Sequence, residues 1–204
     1  MTPSERARQD SHGGRRIADV VTPADAERIM RRRVSPALLA HCSGVAAAAT
    51  GLARHWGTSP VAAEVAGWLH DYCKELSGSE LLADARRLGV PVGPLEERRP
   101  VSLLHAPVAA AELERQGVSA ECCEAVRRHT VGGAGMNTLE RCVYVADAIE
   151  PARSYEGVDQ LRRLARESLT EAVVWSARRT LGRLVERGRP VHPDTLALYN
   201  ESCL

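Results

Sequence analysis

The side chains most capable of chemistry in this sequence are histidines and aspartates set in apolar surroundings. His41 shares a helical stripe with Val45, Ala48 and Leu52, at steps of four, three and four residues, so its imidazole points toward a core. His70 and Asp71 are adjacent and follow the apolar stripe Ala62, Val65, Ala66 and Leu69. Asp147 interrupts the run Val143, Tyr144, Val145, Ala146. A carboxylate placed among such neighbours needs a positive partner or a metal. His105 lies just before a helix start at Pro107, where free N–H groups favour anions, and His129 ends a helix before a glycine-rich loop. Seven histidines and eight aspartates in 204 residues produce about 0.3 His-Asp neighbours by chance, so the dipeptide alone says little. The wider set says more: imidazole combined with carboxylate suits Fe, Mn, Zn or Ni better than Ca or Mg. His55, at the end of the His41 stripe beside Gly57, reads as a structural histidine.

The elements that must position these groups are helices. Thr22-Pro23-Ala24-Asp25 combines an N-cap, a proline at the first helical position and an acidic third, opening a helix through Arg33. Pro36 opens a longer one that stops at Gly57, and Ser59-Pro60 opens VAAEVAGWLHDYCKEL. The stretch from Ser77 to Pro100 is less regular around the helical piece GSELLADARRLG. Ser119 caps AECCEAVRRHT, and Asn137 with Glu140 forms a capping box before TLERCVYVADAIEPAR. One long amphipathic pattern runs from Gly157 to Gly188, wide enough to pack internally or to form a homodimer, and PDTLALYN closes the chain. No hairpin signal and no repeat interrupts this pattern. The expected fold is all-α, a bundle of about eight or nine helices forming one domain over residues 22–204, after a flexible Arg-rich tail over 1–21.

Composition narrows the field. With 27 Lys plus Arg against 26 Asp plus Glu, the net charge of +1 provides no basic field for nucleic acid. Aromatics are 3% with no Phe, too few for a base-stacking platform. No apolar run approaches the roughly 18 residues of a membrane span, so no membrane partner is expected. Cys42, Cys73, Cys122, Cys123, Cys142 and Cys203 form no C-x-x-C pair and read as small buried hydrophobes in a reducing, cytoplasmic setting. Lys74 is the one lysine in the chain.

The order H…HD…H…H…D, carried by His41, His70-Asp71, His105, His129 and Asp147, resembles the HD-domain superfamily of metal-dependent phosphohydrolases. The segments GWLHDYCKE, LLHAPVAA, RRHTVGGAGM, LERCVYVADAIEPAR and LALYN are similar to its bacterial symmetrical bis(5'-nucleosyl)-tetraphosphatase (diadenosine tetraphosphate hydrolase) branch, over about residues 24 to 200. The resemblance implies one divalent metal, iron foremost, with Mn, Zn or Ni as alternatives, held by His41, His70, Asp71 and Asp147. In a two-metal version His105 and His129 complete the second site; otherwise they face phosphate oxygens. The implied reaction splits diadenosine tetraphosphate into two ADP with a metal-activated water. Asp71 would orient that water, and His105 or His129 would stabilise the leaving phosphate. Lys74, one turn after His70, and Arg153 in EPAR would grip phosphate, with Arg162 nearby. Tyr155, Tyr199 and Asn200 would flank the nucleoside.

The sequence departs from that pattern at two positions. Leu38 stands where the family usually carries arginine, three residues before the first histidine, and Ala106 replaces the glycine after His105. Arg31, Arg32 and Arg33 are close enough in sequence to substitute for the lost cation. Two other functions fit the same motifs: hydrolysis of a nucleoside monophosphate, deoxynucleotide or cyclic dinucleotide, and non-catalytic nucleotide or metal sensing.

Overall fold

The computed structural model describes residues 21–201 and 203; the expected tail, apart from Val21, lies outside the described residues. In chain order the helices are α1 (Pro23–Arg31), α2 (Pro36–Trp56), α3 (Pro60–Leu69), α4 (Gly78–Leu88), α5 (Pro94–Arg98) and α6 (Pro100–Leu103). They continue as α7 (His105–Arg115), α8 (Ala120–Arg128), α9 (Thr138–Ile149), α10 (Val158–Glu167), α11 (Leu169–Glu186) and α12 (Pro193–Glu201). Among the described residues there is no strand, so the all-α expectation holds.

The starts of these helices are written in the sequence. Thr22, Ser35, Ser59, Ser77, Ser119 and Asn137 each accept a hydrogen bond from a first-turn N–H, and Asp25, Glu80 and Glu140 complete capping boxes.

Among the described residues there are twelve helices, more than the expected eight or nine, for local reasons. Prolines at 94 and 100 start two short helices in the stretch read as irregular. The pattern from Gly157 to Gly188 is not one helix. Ser168 is extended (φ −156°, ψ 109°), closes α10 and caps Glu171 N of α11 with its hydroxyl. A serine counted as part of the apolar stripe instead works as a cap. Likewise α3 ends at Leu69 rather than continuing through His70 and Asp71. The His70 ring takes the Gly67 carbonyl at 2.8 Å, which a continuing helix would give to the Asp71 N–H.

At the centre α2, α3 and α9 pack on one another. α8 covers α3 and α9, α7 lies between α8 and α4, and α11 packs on α9, α10 and α12. The core is aliphatic, with Met30, Leu69, Leu81, Leu104, Leu113, Leu161 and Leu198 fully buried. Small residues bring the central pair close: a Cβ on Gly67 would fall 2.6 Å from Ala46 Cα, so α2 and α3 touch nearly backbone to backbone. Five cysteines are buried as expected, while Cys203 is exposed; all six are free thiols.

One expectation needs correcting. α2, at 21 residues and mean hydropathy 1.3 over its most apolar window, is long and apolar enough by length and composition to cross a membrane. Its apolarity comes largely from seven alanines rather than from one continuous run of large aliphatic residues. Here it packs against α1, α3, α9 and α10 and carries His41.

Candidate metal centre

Five helices deliver six side chains to one point. His41 comes from the second turn of α2, His70 and Asp71 from the end of α3, and His105 from the start of α7. His129 closes α8, and Asp147 projects from the last turns of α9. His41 Nε2 lies 3.2 Å from His70 Nε2 and 3.2 Å from Asp147 Oδ1. Asp71 lies at the centre: Oδ2 is 3.4 Å from His70 Nε2, and Oδ1 is 3.3 Å from His105 Nε2 and 3.4 Å from His129 Nε2. Three overlapping triads result: His41, His70 and Asp71; His70, His129 and Asp147; and Asp71, His105 and His129. Within each, the ligand atoms lie no more than 4.8 Å apart.

The other ring nitrogens explain what the cluster can do. His70 Nδ1 is 2.8 Å from the Gly67 carbonyl, His105 Nδ1 2.8 Å from that of Val101, and His129 Nδ1 2.8 Å from that of Val126. His41 Nδ1 lies 3.3 Å from Glu150 Oε1. Each acceptor holds its proton on Nδ1, which leaves an Nε2 lone pair aimed inward. Lone pairs therefore face one another at 3.2 Å between His41 and His70 and at 3.3 Å between His105 and His129. Asp71 Oδ1, although ringed by nitrogens, is buried without a directed hydrogen bond. Inward lone pairs around an unsatisfied buried carboxylate oxygen are the surroundings a divalent cation fits. The divalent metal that the resemblance implies is one this donor set fits.

Burial resists charge on Asp71, but the His70, His105 and His129 imidazoles around it hold its carboxyl far below the usual range. Asp147 is also held well below it: its crowded surroundings oppose ionisation, and the adjacent His41 with nearby positive charge outweighs them. Its side chain is 28% exposed, so it stands at the mouth of the cluster rather than fully buried as expected. Burial presses His105 down to about 4, against the pull of Asp71, so its ring is neutral in neutral solution.

Around this cluster the structure sorts the other candidates. Lys74 Nζ reaches Asp71 Oδ1 at 3.3 Å and His105 Nε2 at 3.2 Å, so the lone lysine does overhang the site. Arg153 is committed to the protein, with Nη2 2.5 Å from Asp147 Oδ1 and Nε donating to the Asp147 carbonyl at 2.8 Å. Arg162 donates to the carbonyls of Ile149, Glu150 and Arg153 and so finishes α9. Tyr155 lines a cavity of about 100 Å³ with His129, Thr130, Asp147, Trp175 and Arg179, and its hydroxyl donates to the Ala148 carbonyl. Tyr199 packs against the core and Asn200 is exposed on α12; neither lines that cavity.

Leu38 packs on the core, and two of the three neighbouring arginines are committed elsewhere. Arg31 pairs with Glu27, while Arg33 donates to the Tyr72 carbonyl at 2.7 Å and stacks on the Tyr72 ring. His55, read as structural, sits 2.8 Å from the Arg166 carbonyl.

Two residues in contact with the cluster were not singled out from the sequence. Thr130 Oγ1 lies 3.0 Å from both His105 Nε2 and His129 Nε2. Glu150, buried at the end of α9, orients His41 and accepts the Ala152 N–H at 2.7 Å. Gly44 makes room for it, since a Cβ there would fall 2.7 Å from Glu150 Oε2. The signal was an acid placed between an apolar run and a proline in AIEP, read only as part of a longer motif.

Comparison with known proteins agrees with this geometry. The family model described as "HD domain" matches residues 38–152, a span that holds all six clustered side chains. A protein named symmetrical bis(5'-nucleosyl)-tetraphosphatase from Bacillus subtilis is 39% identical over 162 residues, 78% of this chain and 86% of that protein. A protein of the same name from Halalkalibacterium halodurans is 34% identical, covering 80% of this chain and 88% of its own length. A crystal structure described as a predicted HD superfamily hydrolase involved in NAD metabolism, from Clostridium acetobutylicum, superposes with a TM-score of 0.84 at 28% identity. It covers 88% of this chain and 96% of its own. With the motif order, the helical fold and the imidazole-carboxylate cluster all in agreement, the chain belongs to the HD-domain family of phosphohydrolases.

Proposed function

We propose that the chain hydrolyses diadenosine tetraphosphate symmetrically, releasing two ADP. The observation that carries the hydrolytic part is the set of four Nε2 atoms gathered around the Asp71 carboxylate, those of His105 and His129 at Oδ1 and those of His70 and His41 at Oδ2. The relatives' shared name and their near-full-length match support the choice of substrate. His41, His70, Asp71 and Asp147 would hold the cation, iron foremost, and His105 and His129 with Asp71 would hold a second. A divalent ion there supplies Lewis acidity, lowering the pKa of water and neutralising phosphoryl charge.

The chain's own residues do the rest. Asp71 reaches both halves of the cluster through its two oxygens and is the group that orients the attacking water. Lys74, anchored beside Asp71 and 42% exposed, presents its ammonium to a phosphate oxygen. The neutral His105, in contact with Lys74, and Thr130 beyond it stand where the leaving phosphate gains charge. Tyr155 and Trp175 line the adjoining cavity and offer apolar surface to a nucleoside.

The test is incubation of the metal-analysed protein with diadenosine tetraphosphate plus Fe or Mn, with products resolved by chromatography. Two ADP is the expected result. AMP plus ATP would mean asymmetric cleavage, and binding without product would favour a sensor.

A further inference from the structure

A tetraphosphate chain carries more charge than the metal cluster and Lys74 can answer, and Arg153 and Arg162 are tied to the protein. Unclaimed cations lie elsewhere. Arg179 and Arg183 are four residues apart on α11, and Arg187 caps that helix four further on. At 1.5 Å per residue these steps place three guanidinium stems on one face at intervals of about 6 Å. Arg179 begins the row inside the cavity shared with His129 and Asp147, its guanidinium 3.8 Å from the Tyr155 ring centroid. Arg183 and Arg187 line a second cavity of about 270 Å³ with Arg99 and Arg189, and no carboxylate is among its lining residues. Thr180 lies in the walls of both cavities, so the two adjoin. The side chains of Arg99, Arg183, Arg187 and Arg189 make no ion pair among the described residues. Other arginines do pair with carboxylates, Arg31, Arg87, Arg128 and Arg153 among them, but what sets these four apart is that they gather around one cavity with no carboxylate in its lining.

We propose that the Arg179–Arg183–Arg187 row, with Arg99 and Arg189, is a polyphosphate-binding arm of the groove that starts at the metal cluster. It takes the phosphates remote from the cleaved bond. The inference rests on the reading that a phosphate anhydride is cleaved at the cluster. Four arginines around one cavity repel one another, and a phosphate chain is the ligand that relieves this while accepting forked N–H bonds. The arm also supplies positive charge that Leu38 does not.

The test titrates magnesium-saturated tripolyphosphate into the full-length, metal-loaded protein by calorimetry, in the parent, in Arg183→Ser/Arg187→Ser and in Arg189→Ser. All three positions are exposed, and circular dichroism checks the fold. The double variant is expected to weaken tripolyphosphate binding at least tenfold and to raise the KM for diadenosine tetraphosphate by a similar factor. Arg189→Ser should weaken binding severalfold. Equal binding by parent and double variant, or no binding by the parent, overturns the arm. Arginine-dependent binding in a parent that splits no dinucleoside polyphosphate supports the arm and removes the substrate reading instead.

Discussion

The inner cluster and the outer arginine row of this protein are built on opposite principles. The inner cluster is buried, and every polar group in it is constrained: four Nδ1 atoms are tied to carbonyls or Glu150, and Asp71 is held between two pairs of imidazoles. The outer row on α11 is exposed at Arg183 and Arg187, whose guanidiniums have no carboxylate partner among the described residues. Burial makes an unpaired charge expensive, so groups in the interior must be arranged in advance. In water an unpaired arginine is cheap and can wait for its ligand. The contrast separates a site that fixes geometry from one that gathers charge.

The sharpest way to break that contrast is to empty its centre. Asp71→Ala and His70→Ala should each remove bound metal and lower turnover at least a thousandfold while the helical circular dichroism spectrum stays intact. Retained turnover would show that the cluster is not the reaction centre.

Removing the ion itself comes next. Chelation should abolish turnover, and should lower the thermal midpoint if the cation binds only the folded chain. At a hundredfold excess over Kd the linkage is worth about 2.7 kcal/mol, or about 5–10 °C for a chain of this size. Glu150→Gln keeps the packing against Gly44 but loses the carboxylate that orients His41. Metal affinity should fall about tenfold to a hundredfold, with a smaller effect on the thermal midpoint. An unchanged metal Kd would reduce Glu150 to a helix terminator. Lys74→Ala should have the smallest effect, raising KM or lowering kcat by about three- to tenfold, the worth of one partly exposed charge. Kinetics indistinguishable from the parent would return it to the solvated surface.

Much of the fold could be read from the chain because helix starts are local events. Thr22, Ser119 and the Asn137–Glu140 box act where their spacing says. The helix ends were less legible. Ser168 and His70 each divert a backbone bond with a side chain, and no hydrophobic period reports that. His41, His70, Asp71 and Asp147 stood out because a polar residue in an apolar context has few explanations, and His105 and His129 because they flank helix termini. Glu150 and Thr130 did not, since neither interrupts a stripe.

Sequence by itself determined the helical class, the caps and the identities of the six clustered side chains, because these depend on neighbours within a turn or two. Tertiary structure decided which cations were available. Arg153 and Arg162 sit in the expected motif yet are consumed by Asp147 and the end of α9, whereas Arg99 and Arg183, 84 positions apart, line one cavity. Charge is a property of the residue, but whether it is free for a ligand depends on what the folded chain places beside it.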